Sequence, residues 1–412
     1  MENRFSKYVN FSLFNLVIVA LFGVVMRYKI GFEFPFFDQK SLQHAHSHFA
    51  FSGWISQTII LLIIHILFRK LSPSHITKYF KILNLNLVCA YGMLIAFTVQ
   101  GYGPVSIFFS SSSIIISFKF GYYFFKDVKT LKDFYPGLKW FKAAIIFNLL
   151  SSVGTFTLAY TLISKDIHQD VYLAAVYYYL HFQYNGWFFF ACMGLLAHQL
   201  HNKLPGYSED KQVFPMFIFS CIPAYFLSTL WLKLPMWIYV ITVIAAIVQV
   251  YAWIRFLVQF RKYYPSIKNE LSTFTKYLFI FVGFALSIKL TLQLFSTIPY
   301  LSKLAFGFRT IVIAYLHLVL LAIISTFLLS YLHTFNFIKS GKLIKSSLLL
   351  FTGGIFMNEL ILLIQGIASF SYTLIPLANE MLFGVAVLLF AGSLLLLIAN
   401  LSEGDRNKST ET

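Results

Sequence analysis

Charge is scarce in this chain. Of its 412 residues only 11% are Asp, Glu, Lys or Arg, against about 25% in an ordinary soluble domain. Hydrophobic residues make up 58% and the mean hydropathy is +0.74, which excludes a water-soluble fold and reads as an integral membrane protein. Acidic residues are scarcer still, 15 against 32 basic ones. Cysteine is nearly absent: Cys89, Cys192 and Cys221 each stand alone in a different apolar run, which excludes a disulfide framework and a CxxCH haem-attachment motif. No stretch is polar enough for a soluble domain, and the only biased segment is the short tail LSEGDRNKSTET. The leading MENRFSKYVN has no small-residue cleavage site and reads as part of a retained signal anchor.

A helix needs roughly 20 apolar residues to cross a bilayer. Runs of that kind lie at about 11–28, 46–68, 81–100, 104–124, 141–164, 171–197, 213–232, 236–257, 275–297, 308–332, 345–367 and 374–400. The expected fold is therefore all-α, a polytopic membrane protein of about 12 transmembrane helices in a single membrane domain over 1–412, with a polar tail at 403–412. The Gly and Pro of QGYGP (100–104) and the Pro of LKLP (232–235) separate neighbouring spans.

The net charge of +17 raises the question of nucleic acid, so the position of the basic residues decides. Of the 32 Lys and Arg, 24 fall at the termini and in the loops after even-numbered spans, and 8 in the loops after odd-numbered spans. By the positive-inside rule both termini are cytoplasmic, in the inner (plasma) membrane. The basic charge is a topology signal, and no nucleic-acid partner is expected; lipid is.

Within the apolar runs one outline occurs twice, HFAFSGW at 48–54 and HFQYNGW at 181–187. His48 and His181 are 133 residues apart, four spans, and a further 136 residues lead to His317 in AYLHL. Four crossings restore direction, so the second, sixth and tenth spans run the same way. At 1.5 Å per residue His317 lies roughly 12 Å below Arg309 and His181 roughly 16 Å below Asp170, in the outer half of the membrane. One intramembrane histidine is as often a hydrogen-bonded core residue as a ligand. Three at one period and depth point to use, because a buried imidazole is costly. Neutral imidazoles from separate helices suit haem iron or copper. Gly53, Gly186, Trp54 and Trp187 are read as packing: a glycine there admits a neighbouring helix or a flat ring.

Twelve spans with histidines on the second, sixth and tenth, carried by QHAHSHFAFSGW, YLHFQYNGW and AYLHL, resemble subunit I of the haem-copper oxidases. The resemblance implies three four-helix arcs in a pseudo-threefold arrangement, approximately 1–133, 134–271 and 272–402. It implies a low-spin bis-histidine haem on His317 and one of His44, His46 or His48. His44 and His48 share a helix face and His46 does not, and His48 is favoured by the repeat, His44 or His46 by the family's spacing. His181 matches a ligand of the family's copper. The rest of that set is incomplete, since VFPMFIFSCIPAYFLSTLW contains no histidine. Tyr315 stands where the family binds its high-spin haem, and Asn185 where the family has its cross-linked tyrosine. The expected function is haem or copper binding in electron transfer, small-gas chemistry of the nitric oxide type or sensing, supplied by a quinol or cytochrome donor, and not standard proton-pumping oxygen reduction; if it is an enzyme, it is an oxidoreductase.

Two further charges fall inside spans. Lys289, with Gln293 one turn on, reads as a partner for Glu359 or, like Arg309, as a contact for haem propionate. Glu359, beside Asn358, reads as that partner, a proton relay or a metal ligand. His65, His75, His198, His201 and His333 sit at cytoplasmic helix ends and read as interfacial. Two other classes stay open: a secondary transporter, against which the four-span period argues, and a cofactor-free scaffold.

Overall fold

The structure, a computed structural model, describes residues 2–68, 71–130, 137–164, 168–204 and 206–409. The side chains at 2–3, 68, 162–163, 269–270, 304–305 and 403–409 lie outside the description. The described residues are helical throughout, with short connections and no strand. Ten helices are long and apolar enough to cross a membrane, among them Arg4–Gly31, Gln39–Leu67, Pro73–Gln100, Arg309–Thr334 and Lys342–Phe370. The protein is a multi-pass membrane protein whose outer helix faces contact lipid: Val88, Ile95 and Val99 on one helix and Ile244, Ile254 and Val258 on another are exposed apolar side chains.

Two of the expected spans are helical but not among those ten. Residues 169–203 form one helical path whose apolar content is diluted by five tyrosines, His181, Gln183 and Asn185. In 213–229 a nine-residue α-helix, Val213–Cys221, gives way at Pro223 to a tighter 3-10 helix, Pro223–Thr229. Proline carries no N–H to donate to the preceding turn, so the α ladder is interrupted there.

The chain divides into two compact units, Met1–Asp127 with Ser325–Thr412, and Val128–Ile324. In the first, Lys342–Phe370 and Ala378–Ser409 form a hairpin, and the second of these packs along Glu2–Gly31. The hairpin is close because a Cβ on Gly392 would stand 2.9 Å from the Phe351 backbone nitrogen, the small-residue device membrane helices use in place of a hydrophobic drive. The last helix continues to Ser409, into the polar tail.

In the second unit Leu138–Ser164 packs on Gln169–His181, and Gly154 admits the backbone of Ala175. Val213–Thr229 packs on Met236–Glu270. The arc boundary expected at 271/272 falls between helices, where Ser272 caps Thr273–Phe295 by accepting from the Thr275 N–H at 3.2 Å. The boundary at 133/134 lies outside the described residues.

Candidate functional site

The three repeated histidines share a backbone feature that composition does not announce. Each is followed by a π-helical segment: Ala50–Ser56 after His48, Phe182–Phe188 after His181, and Leu318–Ser325 after His317. Such geometry occupies well under 1% of residues in globular proteins and occurs mostly as single-turn bulges, often at functional sites. Here it begins two, one and one residues after the histidine. On each helix the residues leading to the histidine are largely half-buried, and those beyond it are buried almost all round.

A widened turn weakens its own ladder, and the exposed carbonyls need donors. In the first unit asparagines supply them. Asn15 Nδ2 donates to the Gly53 carbonyl at 2.6 Å, and Asn86 Nδ2 to the Ser52 carbonyl at 3.0 Å and to Gln57 Oε1 at 2.8 Å. Tyr91 closes the network by donating to Asn15 Oδ1 at 2.6 Å. In the second unit the Cys221 thiol donates to the Asn185 carbonyl at 3.7 Å, while the Gln183 side chain within the turn donates to Asn148 Oδ1 and Ser151 Oγ at 2.9 and 2.7 Å. The amides within apolar runs, Asn15, Asn86, Asn148 and Gln183, are the signal in the sequence that marks these turns.

The histidines differ in what their nitrogens do. His181 is wholly buried. Its Nε2–H donates to the Cys221 carbonyl at 2.8 Å and its Nδ1 accepts from Asn185 Nδ2 at 3.1 Å, so both ring nitrogens are spent inside the second unit. Asn185 therefore holds the imidazole where the oxidase resemblance places a tyrosine. His317 donates Nδ1–H to the Ile313 carbonyl of its own helix at 2.8 Å. That bond fixes the tautomer whose Nε2 carries the lone pair, the arrangement a metal-ligating histidine adopts.

In the first unit His48 stacks on Phe97, ring centroids 4.5 Å apart and 14° from parallel. His44 meets Tyr102 edge-on at 4.6 Å, and Phe97 and Tyr102 touch one another. His44 and His48 thus share one aromatic face, as their spacing predicts, while His46 turns the other way, beside Gly23. The buried His44 Nε2 has no hydrogen-bond partner among the described residues. Leaving an imidazole nitrogen unsatisfied in such a place costs about 1–3 kcal/mol, which an axial metal bond would remove.

The Gly-Trp pairs prove to be packing elements. Trp54 is buried and donates to Ser325 Oγ at 2.9 Å within the first unit; Trp187 is fully buried. A Cβ on Gly186 would fall 2.5 Å from the Phe147 Cβ, and one on Gly53 2.9 Å from the Phe49 ring.

Of the remaining candidates, Tyr315 is half-buried with its ring 6.2 Å from that of Tyr184, and Arg309 starts its helix at an exposed position. Lys289 is buried in the second unit. Glu359 belongs to the first unit, where it accepts from Asn358 Nδ2 at 3.1 Å. His75 binds Asp127 at 2.8 Å and is thereby more than interfacial. The helix-2 histidines and His317 stand in different units.

The donor sets separate two cofactors. For haem, the His44 Nε2 is an unsatisfied donor atom in the first unit, and in the second unit His317 has its Nδ1–H fixed on the Ile313 carbonyl. For copper, His181 has both ring nitrogens engaged within the second unit. No protein-family model matches the chain, and no curated protein matches it in sequence.

Proposed function

We propose that this is a haem-binding electron-transfer or small-gas protein of the oxidase subunit I type, with twelve spans in three arcs, both termini in the cytoplasm and an incomplete ligand set for copper. One observation carries the reading. A rare π-helical turn recurs one or two residues after His48, His181 and His317, so the repeat seen in the sequence extends to an uncommon backbone geometry. The fixed tautomer of His317 and the unsatisfied His44 Nε2 support haem as the use of two of these positions. His317 and a helix-2 histidine would be the axial ligands, with His44 favoured over His48 and His46.

A bis-histidine haem supplies reversible one-electron transfer when bound. The chain's own residues then have definable tasks. Ile313 holds the His317 ring by its Nδ1–H, and Phe97 and Tyr102 exclude water beside His44 and His48. Electrons come from a quinol or a separate cytochrome, because the chain has no haem-c motif.

The test is a dithionite-reduced minus air-oxidised visible spectrum of the purified protein, expressed with ample haem. Wild type should give a sharp α band that is lost in both His317→Ala and His44→Ala and kept in His181→Gln. A wild-type protein without a Soret band would end the haem reading and leave transport or a scaffold.

A further inference from the structure

Lys289 is the one basic residue that lies deep inside a span among the described residues and is buried, with 6% of its surface exposed. Its ammonium makes no hydrogen bond or ion pair to any described residue. The second unit cannot supply a counter-ion within its apolar runs: there is no Asp or Glu from 171 to 208, from 211 to 269 or from 271 to 358. An isolated charge of this kind is among the most expensive groups to keep in a membrane.

One turn along the same helix, Gln293 is buried to the same degree and its Oε1 has no partner among the described residues. Residues four apart share a helix face, so a buried cation and an unsatisfied acceptor stand together. The face they share is polar beyond the helix itself. Lys289 lies within electrostatic reach of Cys221 and His181, whose sulfur and Nε2 are 4.0 Å apart. His181 and Cys221 are already tied to Asn185, so they wall the position and leave Lys289 and Gln293 as its unspent groups.

We propose that Lys289 and Gln293 form a buried site for a small monovalent oxyanion, the ammonium taking the negative oxygen and Gln293 Oε1 accepting a hydroxyl hydrogen of the ligand. A water molecule would satisfy both hydrogen bonds and leave the charge uncompensated; a singly charged anion with one hydroxyl does both. Hydrogencarbonate is the simplest molecule with that pair of groups, and formate has the charge without the hydroxyl. The site is independent of haem and uses none of the proposed axial ligands.

Thermal unfolding of the full-length protein in detergent tests it, with sodium hydrogencarbonate or sodium formate titrated at constant ionic strength against sodium gluconate, whose anion is too bulky for the site. The wild-type midpoint should rise saturably with both anions, with hydrogencarbonate acting at a several-fold lower concentration. Gln293→Leu should erase that difference and keep a response to formate. Lys289→Met, which places an apolar chain of similar length in the same space, should raise the midpoint without any anion and abolish both responses. A wild-type midpoint indifferent to both anions, equal responses in Lys289→Met, or a Lys289→Met protein less stable than wild type in gluconate would each overturn the proposal.

Discussion

The His48 and His181 helices are copies of one design put to different ends. Both carry His-Phe-x-x-x-Gly-Trp, both widen into a π turn within two residues of the histidine, and both bury the tryptophan. Around His181 the polar groups of the motif and its contacts are spent: two bonds on the imidazole, a thiol on the Asn185 carbonyl, an asparagine and a serine on Gln183. Around His48 the amides serve the backbone instead, and the imidazoles of His44 and His48 meet only aromatic rings as described partners. The motif thus specifies a backbone, and a few substitutions beside it decide whether the histidine is structural or still available for chemistry. Asn185 is the decisive one, because an amide four residues after the histidine reaches back to its Nδ1.

The comparison breaks most visibly under alanine. His181→Ala strands the Cys221 carbonyl and the Asn185 amide, and two buried unsatisfied groups at about 1–3 kcal/mol each should cost about 3 kcal/mol in unfolding measured by detergent titration. His44→Ala removes a nitrogen that has no partner to lose, so its stability should fall by less than about 1 kcal/mol while the haem spectrum disappears. Equal losses from the two substitutions would mean that both histidines are structural.

A smaller effect separates the two glycines. The Cβ of Gly186→Ala meets the first carbon of the Phe147 side chain at 2.5 Å, which cannot turn away without moving its helix; that of Gly53→Ala meets the far edge of the Phe49 ring at 2.9 Å, which can. Overpacking a closed site costs typically about 1–3 kcal/mol, so Gly186→Ala should fall in that range and Gly53→Ala below it. Similar midpoints for the two would show that the π turns pack alike after all.

Much of the helical architecture is legible in the sequence, because hydropathy sets length and the bilayer sets the standard. The helical class and most of the membrane-crossing segments follow from runs of Leu, Ile and Phe, and the shared face of His44 and His48 from the period of the helix. The histidine period was visible too, since His48, His181 and His317 are countable. What the nitrogens do was not. The Cys221 carbonyl is 40 residues from His181 in sequence, and nothing in VFPMFIFSC announces which backbone oxygen will face an imidazole. The π turns were equally hidden: HFAFSGW and HFQYNGW share glycine and tryptophan, yet Leu318–Ser325 makes the same turn with neither. The amides that satisfy the first of these turns lie elsewhere in the chain, at Asn15 and Asn86, so the turn is written in its neighbours as much as in itself.

The smallest difference between the units is electrostatic and lies outside the membrane. Asp38 in the first unit is exposed and caps Gln39–Phe49, and the Ser41 N–H and hydroxyl hold its carboxyl below the ordinary range. Asp210 in the second unit is mostly covered. Burial pushes its carboxyl up, but the Gln212 N–H and the Arg255 guanidinium, 2.7 Å away, outweigh this and bring it below the ordinary value. Both carboxylates are lower in the folded than in the unfolded chain. Their contribution is therefore complete above the unfolded value, near pH 4, and is lost as pH falls through the folded one. Only Asp210 adds a paired cation, with Arg255 a third exposed, and partly exposed pairs contribute up to about 1 kcal/mol. Asp210→Asn should accordingly flatten the acid limb of the stability profile below pH 4 more than Asp38→Asn does, with both variants converging on wild type at the lowest pH. If Asp38→Asn flattened it as much, the helix cap would match the ion pair, and the contrast between the surroundings of His48 and His181 would not extend to the loops.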